Sequence, residues 1–178
     1  MTRIGVLSDT HGLLDPRILV HFKDVDEIWH AGDIGSDDVL RRLREFKPTR
    51  AVFGNMDGGE VRYSLSEFYR FRVEDVNVLL THIGGYPGHY NPWLIPWFRK
   101  SLEAKTHAET NADTIDLFVC GHSHILKVQY DQQFKFLTIN PGAAGIQGWQ
   151  PCQTLIRFTI DGNKIDNLEV IELKRLEK

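Results

Sequence analysis

Residues 3–12 read RIGVLSDTHG, an apolar run that stops at Ser8 and carries Asp9 and His11, two positions apart, onto a turn closed by Gly12. Ile4, Gly5, Val6 and Leu7 suit a buried strand, because no polar residue interrupts them. An acid and an imidazole at the end of such a strand can form a cap, an ion pair or half of a metal site. The residues that follow decide among these, and with them the fold.

Beyond the turn, residues 17–22 read as a short helix and residues 27–30 as a second strand. Ser36 suits an N-cap, with Asp37 and Asp38 in the first turn and Arg41, Arg42 and Arg44 towards the end, the charge order that a helix dipole favours. Residues 51–53 supply a third short strand. Strand, helix, strand, helix, strand predicts a parallel sheet with right-handed crossovers. The pattern then changes. Residues 68–73 and 76–82 flank Glu74 and Asp75 as a hairpin, and 117–120 is another buried strand. Residues 127–131, 135–140, 154–160 and 164–173 complete a strand-rich second half.

The segment 83–114 differs from the rest. It is rich in Gly and Pro, and a helix is expected from Pro96 to about Ala108. Trp93, Leu94, Trp97, Phe98 and Leu102 form an apolar stripe at helical spacing, predicted to pack on the body of the protein, with a lid or a contact between subunits as the alternatives.

The chain has 178 residues, 42% hydrophobic and 25% charged, which is the range of one soluble globular domain. Its net charge of −3 gives no footprint for bulk nucleic acid or an anionic membrane. No apolar run approaches the ~20 residues a membrane helix needs. No basic region followed by an apolar core opens the chain, so the cytoplasm is the expected compartment. Two cysteines, Cys120 and Cys152, are too few for a disulfide framework and lack zinc-type spacing.

The chemistry collects at strand ends. Asp9 and His11 follow the first strand, Asp33 in HAGD the second, and Asn55 in FGNMD the third. His82 ends the hairpin strand in LLTHIGG, while His122 and His124 in CGHSH follow residues 117–120. Open α/β sheets gather ligands outside the carboxyl ends of their strands. Five strand ends therefore send two Asp, one Asn and four His to one rim. Carboxylate, amide and imidazole without thiolate suit Mn, Fe, Co, Ni or Zn in higher coordination. Seven such residues exceed what one catalytic ion takes from a protein; two ions sharing a carboxylate fit better.

The order D-x-H, G-D, G-N-x-D, T-H and G-H-S-H, followed by NPG at 140–142, resembles the calcineurin-like metallophosphoesterases. It is most similar to their small bacterial and archaeal phosphodiesterase branch. The resemblance implies an α/β fold, a four-layer α-β-β-α sandwich with two facing mixed β-sheets. It also implies two divalent ions per chain, with Mn the first choice and Fe, Ni, Co or Zn as alternatives. One ion would take Asp9, His11, Asp33 and His124; the other Asp33, Asn55, His82 and His122. The resemblance implies that Asp33 would bridge the ions and that a metal-bridging hydroxide would attack a small phosphate-ester substrate, a diester more than a monoester.

Two positions depart from the wider family pattern. Met56 stands where many members have a His that assists the leaving group, and Ala143 follows NPG where relatives often have Ser. Asp57 is expected to orient a ligand histidine through its second nitrogen. Near the site, His89 in GGYPGHYNP is a candidate substrate contact or replacement acid, with Tyr86 and Tyr90 as stacking surfaces for it. His30 is expected to be structural. The rival reading is a scaffold, since the same fold serves the retromer complex as a protein-binding subunit lacking part of the metal set; a homo-oligomer is compatible with either. Ser8 as a hydrolase nucleophile fails, because SDTHG lacks a glycine-flanked elbow.

Overall fold

The computed structural model describes residues 1–107, 113–148 and 150–175. Strand β1 (Thr2–Leu7) leads to helix α1 (Pro16–His21), β2 (Glu27–His30), α2 (Asp37–Phe46), β3 (Thr49–Ala51) and a short α3 (Gly59–Ser64). Pro16 opens α1 behind an Asp15 cap, and Ser36 Oγ accepts the Val39 N–H to start α2. Pro48 holds Lys47 extended and ends that helix. As the alternation predicts, β1, β2 and β3 pair in parallel.

The hairpin follows as β4 (Phe68–Val73) and β5 (Val76–Thr81), then a small ribbon of β6 (Gly85–Tyr86) and β7 (His89–Tyr90). Helix α4 (Ile95–Thr106) comes next, then β8 (Leu117–Val119), β9 (Lys127–Asp131), β10 (Phe136–Asn140), β11 (Cys152–Asp161) and β12 (Lys164–Lys174). The helix expected to end near Ala108 ends at Thr106; Ala108 lies outside the described residues. The third strand also sits earlier than expected. Its register with β2 ends at Ala51; Val52 still donates its N–H to His30 O at 3.2 Å but bridges to Ser66 on its other side.

Two five-stranded sheets result, in the orders β12-β11-β1-β2-β3 and β4-β5-β8-β10-β9. Each mixes parallel and antiparallel neighbours. Alternation along the strands decides what each face buries. Ile4, Val6 and Trp29 of the first sheet meet Val78, Leu80, Leu117 and Val119 of the second, so the two sheets face one another. The opposite face of the first sheet, with Leu7 and Ile28, packs on Ile18, Leu40 and Leu43 of α1 and α2. The outer face of the second, with Leu79, Phe118 and Phe136, packs on Leu94 and Phe98 beside α4. Helix, sheet, sheet, helix is the four-layer order expected from the sequence. No helix among the described residues is long and apolar enough to cross a membrane.

Candidate metal centre

Strands β1, β2, β5 and β8 end at the same rim, and their loops lock together before any ligand is considered. The Asp9 N–H donates to Gly32 O at 3.0 Å, His11 N–H to Asp33 O at 3.0 Å and Gly12 N–H to Ile34 O at 2.8 Å. The Asp9 and His11 turn is thus laced onto the HAGD turn. Across the rim, His122 N–H donates to Asp9 Oδ2 at 3.1 Å. Among the described residues eight that are not glycine have positive φ, and five of them are Asp9, His11, Asp33, His122 and His124. The left-handed region is sparse for side-chain-bearing residues and tends to concentrate at functional sites.

The side chains converge. Asp9 Oδ1 lies 3.1 Å from His124 Nε2 and 3.9 Å from both His11 Nε2 and His82 Nε2. His11 Nε2 and His124 Nε2 face each other at 3.2 Å. Asp33 Oδ2 is 3.3 Å from His82 Nε2, and Asn55 Oδ1 is 3.1 Å from the same nitrogen. The His122 ring stands 5.2 Å from the His82 ring. Six of the seven residues picked out by the sequence bring a side-chain donor atom within 3.9 Å of another's, and His122 adjoins them through its ring contact with His82. Two donor groups can each hold an ion, Asp9–His11–His124 and Asp9–Asp33–His82. Asp9 is common to both groups, whereas the family resemblance gives the bridge to Asp33.

The residues fit metal for a second reason. His82 Nδ1 donates to Ala31 O at 2.7 Å, which leaves Nε2 as the lone-pair side of a neutral ring. That lone pair faces oxygens of Asp9, Asp33 and Asn55. Acceptors directed at acceptors need a proton or a cation between them. Burial alone would lower the His82 pKa, but the Asp33 hydrogen bond and the Asp9 and Asp33 charges raise it. Burial works against Asp33 ionisation, yet His82 and the Met56 N–H keep it below the usual carboxylate range. Asp9 Oδ1 is fully buried and has no hydrogen-bond partner among the described residues. A buried carboxylate oxygen left unpaired is costly unless a cation completes it.

Two close approaches depend on glycine. A Cβ on Gly54 would stand 2.1 Å from Asp33 Oδ1, and one on Gly32 (φ +92°) would stand 2.6 Å from His82 Nδ1.

Asp57 does not orient a histidine, contrary to the sequence-based expectation. Its carboxylate accepts the N–H groups of Ile34, Gly35 and Gly54 at 3.1, 2.7 and 2.8 Å. It ties the turn bearing Asp33 to the turn bearing Asn55, while a backbone carbonyl does the work on His82. Sequence reading noted Asn140 only as part of NPG. Its Nδ2 donates to Gly121 O and Ser123 Oγ at 2.8 and 3.1 Å, bracing the loop that carries His122 and His124. His30 is structural, as expected. Thr10 Oγ1 gives its proton to Ile34 O and takes that of His30 Nε2 at 2.9 Å, while burial pushes the ring pKa down to about 4.

The 83–114 segment divides its aromatic residues differently from the sequence-based expectation. In the β6–β7 ribbon Tyr86 pairs with His89 and Gly85 with Tyr90, so Tyr90 points the other way. Tyr90 is the buried member of the pair and reaches the cavity beside His122 only by its edge. Its ring is buried against Phe98 and Phe118, and its hydroxyl donates to Asp131 Oδ2 at 2.8 Å and lies 2.9 Å from Thr138 Oγ1. Trp93 and Trp97 are half-buried against Phe68, in keeping with packing on the body. Tyr86 and His89 remain exposed. They line a cavity of about 620 Å³ that His122 also lines.

Comparison with known proteins agrees with this architecture. Residues 2–163 match the calcineurin-like phosphoesterase superfamily domain. A probable metallophosphoesterase of Methanothermobacter thermautotrophicus is 30% identical over 171 residues, covering 92% of this chain and 88% of its own length. Among solved structures, wild-type Vps29 complexed with Zn from Entamoeba histolytica has a TM-score of 0.66 at 13% identity, covering 97% of this chain and 98% of its own. A metallophosphoesterase from Sphaerobacter thermophilus has a TM-score of 0.61 at 19% identity, covering 98% of this chain and 89% of its own. The rim of carboxylates and histidines on two facing sheets is therefore that of a metal-dependent phosphoesterase. The chain belongs to the calcineurin-like phosphoesterase superfamily.

Proposed function

We propose that the protein hydrolyses phosphate diesters at a dinuclear centre. Asp9, His11, Asp33 and His124 would hold one divalent ion and Asp33, Asn55, His82 and His122 the other, with Asp33 shared. Manganese suits this oxygen- and imidazole-rich set. Bound there, the ions would lower the pKa of a water and neutralise charge developing on the phosphoryl oxygens. The observation that carries the reading is Asp9 Oδ1, buried, without a hydrogen-bond partner among the described residues, and within 3.9 Å of three imidazole nitrogens.

The chain's own residues do the rest. Ala31 O sets the His82 tautomer, and Asp57 and Asn140 fix the turns that present the ligands. Met56, exposed beside Asn55, offers no proton to a leaving oxygen. His89 is the candidate replacement, because it lines the same cavity as His122. Good leaving groups should therefore be favoured, and aryl diesters should be turned over far faster than alkyl monoesters. The test is hydrolysis of bis(p-nitrophenyl) phosphate and of an alkyl phosphate monoester by the same metal-replete preparation, before and after chelation. Comparable rates on both, or rates that survive removal of metal, would contradict the proposal.

A further inference from the structure

The cavity beside His122 is not part of the ligand cluster. It opens between the β6–β7 ribbon and the loop from Gly121 to β9, with Thr138 and Asn140 of β10 among its lining residues. Its walls are largely apolar, formed by Ile83, Tyr86, Pro92 and Ile125. Its volume of about 620 Å³ falls within the span of small-molecule sites. An alkyl or single phenyl group would leave most of it empty. Two basic side chains also line it: His89, whose ring lies 5.0 Å from that of Tyr86, and Lys127, whose Nζ lies 4.6 Å from the Tyr86 ring centre. The ribbon is built to hold this wall still. Tyr90 pins it from behind, and Gly88 at φ +86° closes its two-residue turn after Pro87.

We infer that this cavity is a subsite for a nucleoside carried on the phosphodiester. The base would sit between Tyr86 and the Ile83 and Ile125 side chains. Asn91 and Ser123 supply amide and hydroxyl groups for its polar edge, and Lys127 and His89 face the negative charge of the ester. His122 in the same lining sets the phosphorus next to the metal ligands.

The inference rests on the diesterase reading, and its test separates the two. Metal-replete protein is given thymidine p-nitrophenyl phosphate and methyl p-nitrophenyl phosphate, which share a leaving group and differ in what the cavity would hold. In kcat/KM the nucleoside ester should be favoured by about tenfold or more, the size of one base–aromatic stack. Ile125→Trp, which fills the cavity from an exposed position, and Tyr86→Ala should each bring the ratio close to unity. In parallel, thymidine alone is titrated and followed by broadening of its ring-proton NMR signals, a readout independent of metal. Broadening should occur with wild type and disappear with Ile125→Trp. Both esters cleaved equally, with no thymidine broadening, would overturn the subsite and leave the diesterase standing. Thymidine bound with neither ester cleaved would overturn the diesterase and leave the subsite. A nucleoside preference that survives both substitutions would also overturn the subsite.

Discussion

Asp57 accepts three backbone N–H groups that have no other acceptor, so its removal acts on two turns at once. Each buried donor left without a partner costs about 1–3 kcal/mol. Asp57→Ala should therefore destabilise metal-free protein by on the order of 3 kcal/mol or more in urea titrations. It should also lower metal content, because Asp33 and Asn55 lose their frame; a stability unchanged from wild type would contradict this role. Met56 is the complementary case, a side chain 69% exposed beside the cluster whose N–H braces Asp33 Oδ1. Met56→His leaves that N–H in place and should raise monoester hydrolysis, since a placed general acid is worth about 10²–10⁴-fold. At this scale the residues that gather at the rim were legible in the sequence, because each stands after an apolar strand. The partners of Asp57 were not, because backbone N–H groups carry no residue signature.

At the scale of elements, the ribbon β6–β7, followed by α4, forms the wall of the rim beside His82. Its two faces have opposite fates, and mutation separates them. Phe98 is fully buried among Tyr90, Phe118 and Phe136, and Phe98→Ala should cost about 3–5 kcal/mol. Tyr90→Phe should cost about 1–3 kcal/mol, because Asp131 Oδ2 loses the tyrosine hydroxyl, while Oδ1 keeps the N–H groups of Gln133 and Phe134. His89→Ala, at an exposed position, should leave the melting temperature unchanged and lower kcat/KM for a diester several-fold. Equal stability losses at His89 and Tyr90 would contradict the two-faced ribbon. Sequence pattern revealed the apolar stripe of α4 correctly, since Leu94 and Phe98 recur at helical spacing and are both buried. It could not assign Tyr86 and Tyr90 to opposite faces, because a two-residue strand is too short to show alternation. Helix α3 was missed for a similar reason: it buries only Val61 and starts at Gly58 without a side-chain cap.

For the molecule as a whole, the parallel-then-antiparallel order was readable because period and length both change after β3. The facing of the two sheets was not readable from the strands one by one; it came with the family resemblance and is seen in the shared cluster of Ile4, Val6, Trp29, Val78 and Leu117. The rim where the strand ends meet joins loops from both sheets, so ions held there would link the two layers. Metal loading should raise the melting temperature in proportion to the logarithm of free metal above its dissociation constant. The direct measurement is metal content per chain by elemental analysis of wild type, Asp33→Asn and His124→Ala after equilibration with manganese and removal of free ions. Wild type should hold about two ions, His124→Ala about one and Asp33→Asn close to none. Retention of one ion by Asp33→Asn would hand the bridge to Asp9, the carboxylate common to both donor groups. A wild-type content of about one ion or fewer would contradict the dinuclear centre itself.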